Sequence, residues 1–220
     1  MRNVNERRSL IALRAVLLGF ASLLLPACSS LWDSGGAGNF NTVIVDAGHG
    51  AYDSGARAIS GSPEKLLALD TAQRLTKILR SKGFRVIETR SRDYFVPLGG
   101  RTEVSNRTRN SIFVSIHYNW SPRRAARGIE IYYYNARSRR LAGNILRQTL
   151  RAYPAVNRGV KRNNFYVLRQ NRRPAVLCEL GFLSNAQDNR YAQNWLYRQR
   201  LAERIAAGII AERGGGWSGF

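Results

Sequence analysis

The sequence contains little cysteine, little histidine and few acidic side chains. Its 220 residues include 2 Cys, 2 His and 14 Asp or Glu, against 35 Lys or Arg. A fold held together by internal disulfides is excluded, because Cys28 lies in an N-terminal export segment and Cys178 is then left without a partner in the chain. Any chemistry that needs an imidazole must come from His49 or His117, the two histidines of the chain.

The N-terminal segment has the layout of an export signal. Four arginines accompany an apolar run that is short for a transmembrane helix. The run ends in "LPAC", which resembles the lipobox of bacterial lipoproteins and implies that Cys28 is lipidated and becomes the first mature residue. Because Ser29 fits outer-membrane sorting, we predict a signal peptide over residues 1–27 and a lipoprotein on the periplasmic face of the envelope. An uncleaved membrane anchor and an ordinary signal peptide are the alternatives.

The chain is strongly basic. Its formal net charge is +21 at pH 7, and removal of residues 1–27, with four Arg and one Glu, leaves 31 basic and 13 acidic residues, or +18. A field of this sign attracts polyanions such as nucleic acid, anionic lipid or acidic cell-wall polymer. Because the chain carries an export signal, we expect a partner in the cell envelope and no nucleic acid.

Composition divides the remaining chain into three parts. Residues 28–40 are rich in Gly and Ser and predict a flexible tether. Residues 41–213 have the right length for one domain with its own hydrophobic core, and we expect this domain to be a monomer. Residues 214–220, "GGGWSGF", form a short C-terminal tail.

Short apolar runs alternate with helix-period segments along this domain. Runs rich in β-branched and aromatic residues predict strands at 42–47, 84–89, 111–117, 128–134 and 175–180. Amphipathic patterns predict helices over 63–83, 137–153 and 197–213, the first with Ser62 as its N-cap and Gly83 at its end. The alternation predicts an α/β fold, one domain with a mostly parallel, twisted sheet of about six strands flanked by helices.

Both histidines lie at the ends of predicted strands. His49 follows the first strand, His117 ends the third, and Glu179 lies near the end of the last. In parallel sheets, ligands bind beyond the carboxyl ends of the strands, so these side chains share one edge. Two imidazoles and a carboxylate, with a fourth position open to water, suit zinc. Glu64 could supply that carboxylate if the glycine-rich loop after His49 folds back.

Each of these residues also has a plainer interpretation. His49 and His117 could be turn or core residues that bond to the backbone. Glu64 could simply complement the dipole in the first turn of its helix. Glu130, on the strand "GIEIYYY", is a second candidate beside Glu179 for an acid–base carboxylate, and composition does not separate the two.

Six segments of the chain carry a resemblance to a known family. They are, in order, "VIVDAGHGAYDSGA", "EKLLALDTAQRLTKILRSKGFRVIETR", "VSIHYN", "ARGIEIYYY", "GVKRNNFYVLR" and "PAVLCELGFLSN". Together, over about residues 42–213, they resemble the zinc-dependent N-acetylmuramoyl-L-alanine amidases of the amidase-3 type. The resemblance implies a peptidoglycan hydrolase that cleaves the amide bond between N-acetylmuramic acid and the L-alanine of the stem peptide, in cell-wall remodelling or cell separation.

The resemblance also implies a role for individual residues. The zinc-binding histidine of the family's "DAGHG" loop corresponds to His49, the glutamate that opens the next helix to Glu64, and the histidine of the "SIH" strand to His117. The general acid/base of the "ELGF" segment corresponds to Glu179, which favours it over Glu130. Because every ligand is present, an active enzyme is favoured over a catalytically weak peptidoglycan-binding envelope lipoprotein.

Three further expectations concern the surroundings of this site. We expect Asn119, Arg127 and Glu130 to contact the substrate. Cys178 stands where the family often has an apolar residue, and we interpret it as a small core residue. Residues 135–159 hold one helix of ordinary length, so the inserted helix that plugs activator-dependent division amidases is missing, and the enzyme is expected to be open without an activator.

Overall fold

A computed structural model describes residues 37–214 of the chain. Its strands are β1 (Thr42–Ala47), β2 (Arg85–Glu88), β3 (Ser111–Asn119), β4 (Ile129–Tyr133), β5 (Asn157–Arg162) and β6 (Ala175–Phe182). Its helices are α1 (Glu64–Ser81), α2 (Leu98–Arg107), α3 (Arg139–Thr149), α4 (Tyr166–Arg169), α5 (Ala186–Gln193) and α6 (Trp195–Arg213), with a 3₁₀ turn at Ala136–Ser138. The predicted signal peptide, the lipidation site Cys28 and most of the tether lie outside the described residues.

The six strands form one mixed sheet in the order β2-β1-β3-β6-β4-β5. β1, β2, β3 and β6 run parallel to one another, whereas β4 pairs with β6 in the antiparallel direction and β5 runs parallel to β4. The predicted fold class, a single α/β domain with a mostly parallel sheet of about six strands, is confirmed. The strand that the sequence did not locate is β5, an edge strand with no fully buried residue.

Helices cover the two faces of the sheet unequally. The long helices α1, α3 and α6 pack on one face, where Leu75, Ile145 and Ile205 belong to the large hydrophobic core. The short helices α2 and α4 lie on the other face, over a smaller cluster that includes Ile44 and Phe113. Because side chains alternate between faces along a strand, every second residue of β1, β3 and β6 points to this thinly covered side.

One local expectation differs from the structure. Ser62 does not cap α1, since its hydroxyl donates to Gln193 Oε1, and the loop carbonyls of Ser54 and Ala56 accept the first free N–H groups of the helix instead. Phe40, which precedes β1, is buried against Phe84. Within residues 37–214 no helix combines the length and the apolar character that crossing a membrane requires.

Candidate metal and catalytic site

Three acid–base side chains lie in one row across the sheet. His117 on β3 pairs in register with Glu179 on β6, and Glu179 pairs with Glu130 on β4. Residues that pair across neighbouring strands point to the same face, so all three side chains lie on the side that α2 and α4 cover only in part. The sheet therefore presents an imidazole and two carboxylates at the carboxyl ends of β3 and β6.

The loop after β1 brings His49 to the same place. His49 and Ala51 have φ angles of 62° and 49°, a left-handed conformation that residues other than glycine rarely adopt. Such strain costs on the order of 1–3 kcal/mol for each residue and persists only where surrounding contacts impose it. The His49 ring lies 4.9 Å from the His117 ring, centroid to centroid, in an edge-on arrangement.

Glu64 reaches the two histidines because the loop folds back on itself. Gly50 and Asp53 pair as a short antiparallel bridge, and the carbonyl of Ala56 accepts the backbone N–H of Glu64. Glu64 is 3% exposed, and its Oε2 also accepts the backbone N–H of Ala56. The first turn of α1 therefore lies beside the end of β1, and the predicted folding-back of the glycine-rich loop is seen in the structure.

The three side chains form a compact group, here called the metal triad: His49, Glu64 and His117. One ligand atom from each lies within 4.8 Å of the others. Glu64 Oε2 is 3.1 Å from His49 Nε2, and Glu64 Oε1 is 2.9 Å from His117 Nδ1. Although burial raises the pKa of the Glu64 carboxyl, the hydrogen bonds and charges of the two imidazoles outweigh it and hold this pKa far below its usual value. The ionised carboxylate and two nitrogens are ligands that divalent transition metals accept.

Glycines leave room around the triad. A Cβ atom at Gly55 would lie 2.6 Å from Glu64 Oε2 and from His49 Cδ2, and one at Gly48 would lie 2.3 Å from His117 Cε1. Real Cβ atoms do not approach other atoms so closely, so both positions require glycine for the three ligands to come together. The donor set and this cradle fit a metal ion held by three protein ligands with one position open.

Glu179 and Glu130 have opposite surroundings, although they are neighbours. Glu179 Oε2 is buried and has no hydrogen-bond partner among the described residues. Burial, with the Glu64 and Glu130 carboxylates nearby, holds the pKa of Glu179 well above its usual range. A cation held by the metal triad would lower this pKa again, because the ion is the largest charge in such a site. A buried carboxyl with a perturbed pKa in a cleft is a candidate for proton transfer.

Glu130 is instead a fully bonded carboxylate. Its Oε1 accepts hydrogen bonds from Asn119 and Tyr132, and its Oε2 accepts from Arg158 and Lys161. Burial would raise the pKa of Glu130, but the hydrogen bonds from Lys161 and Arg158 outweigh it and lower the pKa below its usual value. Glu130 is 2% exposed, so it orients Asn119 rather than presenting a free oxygen.

A cleft of about 650 Å³ opens above the triad and Glu179. Its other side is an apolar rim formed by Phe95, Val96 and Leu98, which precede or begin α2. Of the three predicted substrate contacts, Asn119 lines the cleft, whereas Glu130 lies behind it and Arg127 bonds to Gln187 outside it. Cys178 is fully buried, and burial together with the Glu179 charge raises the pKa of its thiol, as befits a core residue.

Sequence reasoning missed the side chains that support the ligands. Asp53 Oδ1 lies 2.9 Å from His49 Nδ1, the nitrogen that points away from Glu64, and such a carboxylate fixes the orientation and basicity of a ligating imidazole. The i, i+4 spacing of His49 and Asp53 in a loop gives no recognisable signal. Arg90 and Arg101 are both buried and donate to carbonyls of the same loop. Among so many arginines, the sequence gives no sign that these two support the site.

Comparison with known proteins agrees with this geometry. A family model described as N-acetylmuramoyl-L-alanine amidase matches residues 43–211. The Bacillus subtilis (strain 168) protein YqiI is 36% identical over 197 residues, which are 88% of this chain and 93% of YqiI.

Solved structures agree as well. The catalytic domain of the amidase CwlV from Bacillus (Paenibacillus) polymyxa var. colistinus is 38% identical, with a TM-score of 0.75 over 77% of this chain and 96% of that one. An N-acetylmuramoyl-L-alanine amidase from Clostridium difficile 630 is 33% identical, with a TM-score of 0.75 over 79% and 96%. The chain therefore belongs to the amidase-3 family of N-acetylmuramoyl-L-alanine amidases.

Proposed function

We propose that this protein is a zinc-dependent amidase that hydrolyses the bond between N-acetylmuramic acid and the L-alanine of the peptidoglycan stem peptide. The observation that carries the proposal is the metal triad at an open cleft, beside a buried Glu179 oxygen that has no hydrogen-bond partner in the described part of the chain. The expected role of the enzyme is cell-wall remodelling or cell separation.

The residues divide the reaction between them. His49, Glu64 and His117 would hold the ion, which when bound supplies a Lewis acid that polarises the scissile carbonyl and lowers the pKa of a water molecule. Glu179 takes the proton of the attacking water and passes it to the departing amine of L-alanine, a role open to a carboxyl oxygen that has no other hydrogen-bond partner among the described residues. Asn119, held in place by Glu130, orients the substrate at the edge of β3. The apolar rim lines the opposite side of the cleft and offers a nonpolar surface to the substrate.

Digestion of purified sacculi tests the activity. The mature chain, loaded with zinc and without any activator, should release free stem peptides and leave unsubstituted muramic acid, detected by mass spectrometry. Activity without an activator is expected because, between residues 135 and 159, the structure has a 3₁₀ turn and α3 but no further helix. Removal of the metal with a chelator should abolish release, and added zinc should restore it.

The products distinguish the alternatives. Glycan fragments that still carry their peptides would contradict the proposed bond. Binding to sacculi with no release, by chain that contains zinc, would support the peptidoglycan-binding lipoprotein instead. Strict dependence on an added protein would contradict the expectation that the site is open without an activator. It would not contradict the proposed hydrolysis.

We also propose that the enzyme works outside the cytoplasm, attached to the outer membrane through a lipid on Cys28. The support is the "LPAC" segment and the extracytoplasmic substrate that the proposed activity requires. Intact-mass measurement of the protein from membranes should show a chain that begins at Cys28 and carries acyl groups. The Cys28→Ser variant should be recovered without them, and acyl-free wild-type protein in the soluble fraction would contradict the anchor.

A further inference from the structure

Arg101 of α2 joins three parts of the site through one buried side chain. Its Nη1 donates to Asp46 Oδ1 at 2.8 Å and to the carbonyl of Ala47 at 2.7 Å, both at the end of β1. Its Nη2 donates to the carbonyl of His49 at 2.7 Å, and its Nε donates to the carbonyl of Val96 at 2.9 Å. All three guanidinium nitrogens are therefore used, and Arg101 is 3% exposed.

The backbone at His49 needs contacts that hold its conformation. His49 adopts a left-handed backbone conformation, which persists only where neighbouring contacts impose it. Arg90, 1% exposed, adds to the restraint by donating to the carbonyls of Ala47 and Gly48 at 2.9 and 2.6 Å. Two buried guanidinium groups thus hold the carbonyls of three successive residues, 47–49, where β1 ends and the loop of residues 48–57, here called the metal loop, begins.

Arg101 is itself held rigidly. Asp46 is 1% exposed and accepts hydrogen bonds from Thr89 at 2.6 Å and Ser115 at 2.5 Å besides the one from Arg101. Ser115 lies on the neighbouring strand β3 and Thr89 directly follows β2, so the carboxylate is fixed to the sheet. A buried charge pair whose carboxylate accepts three hydrogen bonds restricts the guanidinium to one position.

We propose that Arg101 is a positioning residue of the metal site, which fixes the backbone of His49 so that its imidazole meets Glu64 and His117. Through Val96, the same side chain ties the metal loop to the apolar rim of the cleft. The proposal rests on the proposed zinc-dependent activity. A lysine cannot replace Arg101 in this role, because a single ammonium group lacks the planar fork that reaches separate acceptors.

The test measures Zn²⁺ affinity, by competition with a chromogenic chelator, in the full mature chain. The variant is Arg101→Lys, and the matched control on the same helix is Arg107→Lys, whose side chain is 81% exposed and pairs with Glu103. Arg101→Lys should weaken zinc binding on the order of 10-fold to 100-fold, as is usual when a supporting contact behind a ligand is lost. Arg107→Lys should bind zinc as the parent does. Excess zinc should restore much of the hydrolysis lost in Arg101→Lys.

Hydrogen exchange on the metal-free proteins separates positioning from general destabilisation. In folded Arg101→Lys the amides of residues 48–57 should exchange faster, while those of β3 and β6 keep their protection. Unchanged zinc affinity in folded Arg101→Lys overturns the proposal. Absence of zinc binding by the parent chain overturns the proposed function instead.

If Arg101→Lys does not fold, the Asp46→Asn variant tests the positioning role of Arg101 instead. It leaves the arginine in place but removes the charge that fixes it, so zinc affinity should fall in the same direction by a smaller factor. Parent-like affinity in Asp46→Asn contradicts the proposal. Failure of both variants to fold contradicts it too, since the pair would then serve the fold as a whole.

Discussion

Replacement of Glu179 by glutamine should lower kcat by on the order of 10²-fold to 10⁴-fold, the usual contribution of a positioned acid–base group. Glutamine has nearly the same shape but cannot take a proton from water or give one to the leaving amine. Glu179 is not part of the metal triad, so zinc binding should be kept. Because Glu179 Oε2 has no hydrogen-bond partner within residues 37–214, the fold should also be kept. Steady-state kinetics on sacculi, zinc titration and thermal unfolding measure the three effects.

The matched comparison is Glu130→Gln, the neighbouring carboxylate on β4. Its oxygens accept from Asn119, Tyr132, Arg158 and Lys161, so its loss should disturb substrate orientation and raise KM more than it lowers kcat. The two variants thus separate proton transfer from orientation. A Glu179→Gln enzyme with the parent kcat, together with an inactive Glu130→Gln enzyme, would reverse the assignment.

The parts of the fold that the sequence predicted are those with strong periodicity. β1, β3 and β6 are runs of mostly apolar residues, and α1 and α6 are long helices that bury apolar residues at helical spacing, so their positions follow from the apolar pattern. β5, "NRGVKR", is partly exposed along its length and has one large apolar residue, so it gives no pattern. α2, "LGGRTEVSNR", was missed because it contains two glycines and buries polar rather than apolar side chains.

The candidate site likewise has parts that the sequence predicted and parts that it did not. His49, His117 and Glu179 could be placed at one edge because the ends of parallel strands meet there. The position of Glu64 depends on how 14 residues of loop fold, and local pattern does not determine that. Asp46 and Arg101 are 55 positions apart, and their contact forms only when α2 packs beside β1. The sequence therefore predicted which candidate groups share one edge of the sheet, whereas only the fold shows what holds them.

Glu64→Gln should weaken zinc binding by more than about 100-fold, beyond the loss typical of a supporting residue, and should abolish hydrolysis at ordinary zinc concentrations. One carboxylate oxygen faces His49 and the other faces His117, so an amide nitrogen in either position removes a ligand atom and places a donor toward an imidazole. The same substitution also removes the negative charge that lies between the two imidazoles and that would help to bind a cation. Zinc titration of the purified mature chain measures the loss.

The plainer interpretation of Glu64, an acid that complements the dipole of α1, makes a different prediction. Removing such a charge costs about 0.3–1 kcal/mol of stability, and it would lower the unfolding temperature of the metal-free protein with no change in zinc affinity. The control Glu103→Gln, on α2 and far more exposed than Glu64, should alter neither quantity. Parent-like zinc binding in Glu64→Gln would leave two histidines as the only ligands. Since a metal site of this kind needs a third protein ligand, that result would remove the zinc mechanism for this chain.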